Sequence, residues 1–129
     1  MFGPFLAVAV GGALGAVLRY LLGLVGDAIW PQQPWATAVI NVTGCLVFGL
    51  VHAYGAATER WPAWLTTALL VGCCGAFTTF SSFVGDCHRL WQQDRLVVLF
   101  ANVMLQNLAG FAALVVGLRL GARLAGAGD

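Results

Sequence analysis

The sequence predicts an all-α membrane protein with four transmembrane helices per chain, forming a single domain over residues 1–129. Three observations predict it. Of the 129 residues, 60% are hydrophobic and 9% charged, whereas a soluble domain carries about 25% charged residues. Four apolar stretches, 5–25, 36–54, 65–85 and 96–117, each have roughly the 20 residues that cross a hydrocarbon core. Trp30, Trp35, Trp61, Trp64 and Trp91 all fall at the ends of these stretches, where an interfacial aromatic belt forms. The connections GDAIWPQQPW, GAATERWPAW and DCHRLWQQDR are short, so consecutive helices are antiparallel neighbours.

The first stretch begins MFGPFLAVAV. It lacks a basic leading region and a small-residue cleavage site, and its apolar run exceeds that of a signal peptide. It is therefore expected to remain as a membrane helix. Gly11 and Gly15, with Gly12 and Ala16 offset by one, form two small-xxx-small pairs that permit close helix contact. Packing within the chain is their simplest use, but four helices enclose little space, and assembly into an oligomer is the favoured reading. Arg19 lies six residues before the end of the stretch, about 9 Å of rise. It either snorkels to the interface or sets a fixed positive charge at the mouth of an anion pathway.

The second stretch places Asn41, Gly44, Cys45, Phe48 and His52 on one face. The Asn41 amide can donate two hydrogen bonds, to a passing ion or to a neighbouring helix; His52 reads as interfacial. The third stretch contains GCCGAFTTFSSF. Glycines and β-branched threonines weaken helix preference there, and irregular backbone at membrane depth survives only inside protein or beside a cavity. A break would free carbonyl oxygens for a cation. Phe80 and Phe83 share a helical face, and the positive edges of their rings could replace an anion's water. Packing phenylalanines and back-bonded hydroxyls are the plainer alternative. The fourth stretch carries Asn102, Gln106 and Gly110 at i, i+4 spacing, a polar stripe without a carboxylate; Asn107 lies off it.

Several functions are disfavoured. The four cysteines lack metal or redox spacing, and the Asp86-Cys87-His88 cluster is too compact to converge three ligands. No hydrolase, P-loop or zinc-protease signature is present, so the chain is not expected to be an enzyme. No charge block points to nucleic acid. Asp27, Glu59, Asp86, Asp94 and Asp129 all read as lying in or next to loops or at the terminus, with none in a helix interior, which argues against proton-coupled antiport. Four spans put Arg60, Arg119 and Arg123 on one side and Arg89 and Arg95 on the other. So small a bias permits insertion in both orientations.

GGALGAVLRY at 11–20, INVTG at 40–44 and GCCGAFTTFSSF at 72–83 together resemble the Fluc-type fluoride channels, the CrcB family, across essentially the whole chain. The resemblance implies an antiparallel, dual-topology homodimer in a bacterial cytoplasmic membrane, with two fluoride pores and a third helix broken near its middle. By motif position it makes Asn41, Phe80 and Phe83 pore-lining, and Arg19 the first-helix arginine. Thr79 and Ser81 are placed near the pore or the break. The backbone carbonyls of Gly75 and Thr78 would hold a structural Na+ at the dimer centre. Ala76 and Ser82 stand where the family commonly has glycine and threonine, and Asn102 and Gln106 where its fourth-helix track is often hydroxylic. The competing reading is a non-transporting membrane assembly or scaffold protein.

Overall fold

The computed structural model describes residues 3–58 and 61–126. Glu59, Arg60 and Asp129, used above in the acid and arginine counts, lie outside the described residues. Helix α1 runs Gly3–Ile29 and α2 runs Trp35–Ala57. The third span, 63–92, is composite: α3 (Ala63–Thr67), a π-helical segment (Ala68–Cys74), the short α4 (Gly75–Phe77) and α5 (Phe80–Gln92). Helix α6, Leu96–Leu124, completes the chain. The four spans are each long and apolar enough to cross a membrane, and no strand occurs among the described residues.

Prolines set two of the starts. Pro34 and Pro62 stand immediately before α2 and α3, where a missing backbone N–H leaves no helical bond unmade. The two turns at one end of the bundle each contain a left-handed residue, Gln32 and Asp94, with φ of 59° and 55°. Arg95 joins these turns by donating to Gln33 Oε1 at 2.7 Å.

The spans pair as two parallel couples, and glycines permit both. A β-carbon on Gly11 or Gly15 of α1 would overlap the carbonyl oxygens of Ala68 and Cys73 in the π segment. These glycines are therefore consumed within the chain, which corrects their reading as support for an oligomer interface. The second couple is α2 with α6, where added β-carbons on Gly49 and Gly117 would overlap the Leu114 and Leu46 carbonyls. Bringing backbones together in this way strengthens dispersion and Cα–H···O contacts where lipid offers no hydrophobic drive.

One carboxylate lies deeper than expected. Asp27 sits in the last turn of α1, next to a loop as read, whereas Asp86 lies well inside α5. The helices continue past the apolar blocks because polar residues can complete them: Asp86 accepts from Arg89, one turn along α5, at 2.6 Å. The Asp86 side chain is only 13% exposed. The premise that no helix interior holds an acid is therefore wrong for Asp86.

Candidate functional site

Midway along the third span, Thr78 (φ −76°, ψ 156°) and Thr79 (φ −148°, ψ 111°) are extended, separating α4 from α5. Side chains take over the hydrogen bonds that a continuous helix would make. The Thr79 N–H would meet the Gly75 carbonyl but donates instead to Asn41 Oδ1 at 2.8 Å. The Ser82 N–H would meet the Thr78 carbonyl but donates to Thr79 Oγ1 at 3.2 Å, an N-cap for α5. The Gly75 and Thr78 carbonyls are thus both released from their helical donors. Ala76 is compensated differently: Arg19 Nε reaches across from α1 to donate to its carbonyl at 3.0 Å. The Thr78 hydroxyl and N–H both turn back to the Cys74 carbonyl, at 3.0 and 3.1 Å.

Asn41 grips this segment by both backbone polar groups of Thr79, its N–H and its carbonyl. Besides accepting from the N–H, its Nδ2 donates to the Thr79 carbonyl at 3.2 Å and to Gln106 Oε1 at 2.7 Å. Both Asn41 protons are therefore committed within the protein. Gln106 donates to Asn102 Oδ1 at 2.9 Å and keeps its second N–H uncommitted. Asn102, which is 0% exposed, donates to Cys87 Sγ at 3.5 Å. Asn107 lies off this line and bonds its own helix at the Val103 carbonyl, 2.7 Å away.

Phe80 and Phe83 open α5 with ring centroids 5.8 Å apart and planes at 45°, within the range of favourable aromatic pairing. Phe80 is 76% exposed on the single chain, while Phe83 is half-buried. Ser81 is exposed beside them, its Oγ 3.3 Å from Thr79 Oγ1; Thr79 also donates to Ser82 Oγ at 3.0 Å. On one side the break borders a cleft of about 350 Å³ whose walls include Arg19, Asp27, Thr79, Ser82, Asp86 and Arg89. Asp86 Oδ2 and Arg89 Nε are buried there without a partner among the described residues.

The structure thus joins Arg19, Asn41, Thr79, Ser81, Asn102 and Gln106 through contacts radiating from one interruption, with Phe80 and Phe83 directly after it. Gly110 falls elsewhere, packed toward Cys45 Sγ. His52 stacks on Phe48 with centroids 6.1 Å apart and is exposed. Among the described residues no three His, Cys, Asp or Glu side chains converge as a metal cluster. Cys87 as the end of the amide chain was not anticipated, because a lone cysteine carries no spacing signal. Neither was the Gly117–Gly121 pair, although it follows the same four-residue rule applied to Gly11 and Gly15.

Comparison with known proteins assigns the chain to a family. The family model described as CrcB-like protein, Camphor Resistance (CrcB) matches residues 6–118. The fluoride-specific ion channel FluC of Solidesulfovibrio magneticus is 44% identical over 115 residues, covering 88% of this chain and 92% of its own length. That of Azotobacter vinelandii is 38% identical over 121 residues, 93% of this chain and 98% of its own. That of Stutzerimonas stutzeri is 41% identical over 115 residues, 88% and 93% respectively. With one family model spanning nearly all four helices and relatives of this identity aligned along almost their full length, the chain belongs to the CrcB family of multi-pass membrane proteins.

Proposed function

We propose that the chain is a passive, fluoride-selective ion channel that exports fluoride across the bacterial cytoplasmic membrane, working as an antiparallel, dual-topology homodimer with two pores. The observation that carries this is the interruption at Thr78–Thr79, braced by Asn41 and followed at once by the Phe80–Phe83 pair. The names of the relatives, all fluoride-specific ion channels, support it.

The interruption divides charge in a useful way. Toward α4 it leaves carbonyl oxygens, the negative side of the peptide dipoles. Toward α5 it presents the start of a 13-residue helix, whose N-terminal end is electropositive. Fluoride is small and strongly hydrated, so a path must replace its water with N–H, O–H and ring-edge donors. The uncommitted N–H of Gln106 and the edges of Phe80 and Phe83 supply those donors, and the hydroxyls of Thr79 and Ser81 join by turning away from Ser82 and from Thr79 respectively. Asn41 joins by exchanging a bond to Thr79 or Gln106 for one to the ion. Arg19, lining the charged cleft, concentrates anions at the approach. Phe80, so exposed on one chain, gains its second wall from an inverted copy. No energy source is required; the membrane potential drives the anion outward.

The released carbonyls of Gly75 and Thr78 fit a hard monovalent cation, which binds oxygen ligands. Two from each protomer would supply four to a structural Na+ at the dimer centre. Bound there, the ion would neutralise the facing carbonyl dipoles and tie the protomers together.

Purified protein in liposomes under fluoride or chloride gradients tests the proposal. Fluoride efflux far above chloride efflux, without any proton gradient, is expected. Equal permeation, or flux that needs a proton gradient through Asp86, overturns it. Phe80→Ile and Phe83→Ile should each slow fluoride efflux while elution of the assembly is unchanged. A non-transporting scaffold would show no flux and would tolerate Asn41→Ala. Cysteines introduced into the loops and labelled from each face should report both orientations; a single orientation contradicts self-inversion.

A further inference from the structure

We infer that Asn102 is a positioning residue of the ion path, orienting Gln106 beside Asn41 without itself meeting the ion; this rests on the channel reading above. The observation is the direction of the hydrogen bonds. The Thr79 N–H donates to Asn41 Oδ1 at 2.8 Å, Asn41 Nδ2 to Gln106 Oε1 at 2.7 Å, Gln106 Nε2 to Asn102 Oδ1 at 2.9 Å, and Asn102 Nδ2 to Cys87 Sγ at 3.5 Å. Each carbonyl accepts from the group before it and each amide donates to the group after it, so the dipoles run head to tail and reinforce one another.

Such a chain has one allowed sense. Turning the Gln106 amide over would face its NH2 to the NH2 of Asn41 and its oxygen to the oxygen of Asn102, replacing two attractions with two repulsions. The Thr79 N–H, which can only donate, fixes the sense at one end; Asn102 holds the Gln106 choice in place from the other, its buried NH2 satisfied by the Cys87 sulfur. Burial separates the roles of the three carboxamides. Asn41 and Gln106 are half-buried, leaving a face for an ion. Asn102 is fully enclosed and has none.

The chain also bridges elements that the backbone no longer couples. After the extended residues, α5 is not continuous with α4, yet it must present Phe80 and Phe83 in a fixed pose. Asn41 pins its leading residue, Thr79, and Asn102 pins Cys87, two turns further along. Both pins converge on Gln106 of α6.

The test measures fluoride efflux from liposomes for Asn102→Leu, Gln106→Ala, their double variant, Cys87→Ala and Cys87→Ser. Asn102→Leu is expected to lose about tenfold in rate, equivalent to about 1.4 kcal/mol of barrier. Because Asn102 acts through Gln106, the double variant should be no slower than Gln106→Ala alone. Cys87→Ala should be slowed severalfold, and Cys87→Ser, whose hydroxyl still accepts from the amide, should recover most of that loss. Parental efflux in Asn102→Leu, losses that multiply in the double variant, or a serine no better than alanine would each overturn the inference. The Cys87 pair decides the matter even if Asn102→Leu does not assemble. A parent chain that carries no fluoride would refute the channel reading instead, before any variant is compared.

Discussion

Replacing Asn41 with leucine keeps the branched side-chain shape but removes every polar contact that Asn41 makes to the interruption and to Gln106. Three hydrogen bonds disappear, those of 2.8 and 3.2 Å to the N–H and carbonyl of Thr79 and that of 2.7 Å to Gln106. At about 0.5–1.5 kcal/mol net for each bond, the loss is about 1.5–4.5 kcal/mol. The Thr79 N–H, left without a partner, has the Gly75 carbonyl as its natural acceptor, so the loss favours closing the helix across residues 78 and 79. A shift of about 3 kcal/mol lowers the population of the open geometry about a hundredfold. Initial fluoride efflux from liposomes, followed with a fluoride-selective electrode, should fall by roughly that factor. Asn41→Asp provides the control: it retains an acceptor for the Thr79 N–H but has no donors and carries a negative charge, so it should also fail to conduct. If Asn41→Leu, inserted and eluting like the parent, conducts fluoride at the parental rate, the bracing argument is wrong.

Two further substitutions probe neighbouring elements. Thr79→Val removes the cap that accepts from the Ser82 N–H, at a cost of about 1 kcal/mol; it should slow fluoride efflux, and Thr79→Ser should restore it. Gly117→Val forces a side chain against the Leu46 carbonyl; at about 1–3 kcal/mol for overpacking, the detergent-solubilised protein should resist SDS less well than the parent, whereas Gly3→Val, with open space around it, should not differ.

The spans were readable because hydropathy is additive along the chain and needs no knowledge of partners. The same additivity misplaced Asp86: an apolar block ends at a charge, while a helix continues if that charge finds a neighbour, and Arg89 provides one. Gly11 and Gly15 were visible as a close-contact pair, but which backbone they meet depends on how helices pair, and that is not written in local spacing. The Gly117–Gly121 pair has the same four-residue spacing and was equally legible; only its partners, Leu46 and Leu50, were not. The mixed stretch at 75–83 stood out chemically, and Asn41, Asn102 and Gln106 stood out as polar residues at membrane depth. Their linkage did not, because the donor sense of three amides is fixed only when all of them and Cys87 meet in space. The π-helical turns were equally hidden: nothing in the residue types of ALLVGCC marks an i→i+5 register.

Those π-helical turns carry a consequence of their own. From Ala68 to Cys74 the backbone closes i→i+5 rings, each holding one more residue than an α-helical ring. The surplus acts as an angular offset: everything downstream is swung about the axis relative to where an uninterrupted α-helix would put it. Were the same seven residues to relax to α geometry, Gly75 and Thr78 would swivel by about 100°, the share of one residue in a 3.6-residue turn, and their carbonyls would point toward a different neighbour. Excising a single residue as well, such as Val71, removes the surplus and should leave their aim nearly unchanged. Aim along this span is therefore set by residue count and backbone register upstream together, as well as by the chemistry of the residues doing the aiming.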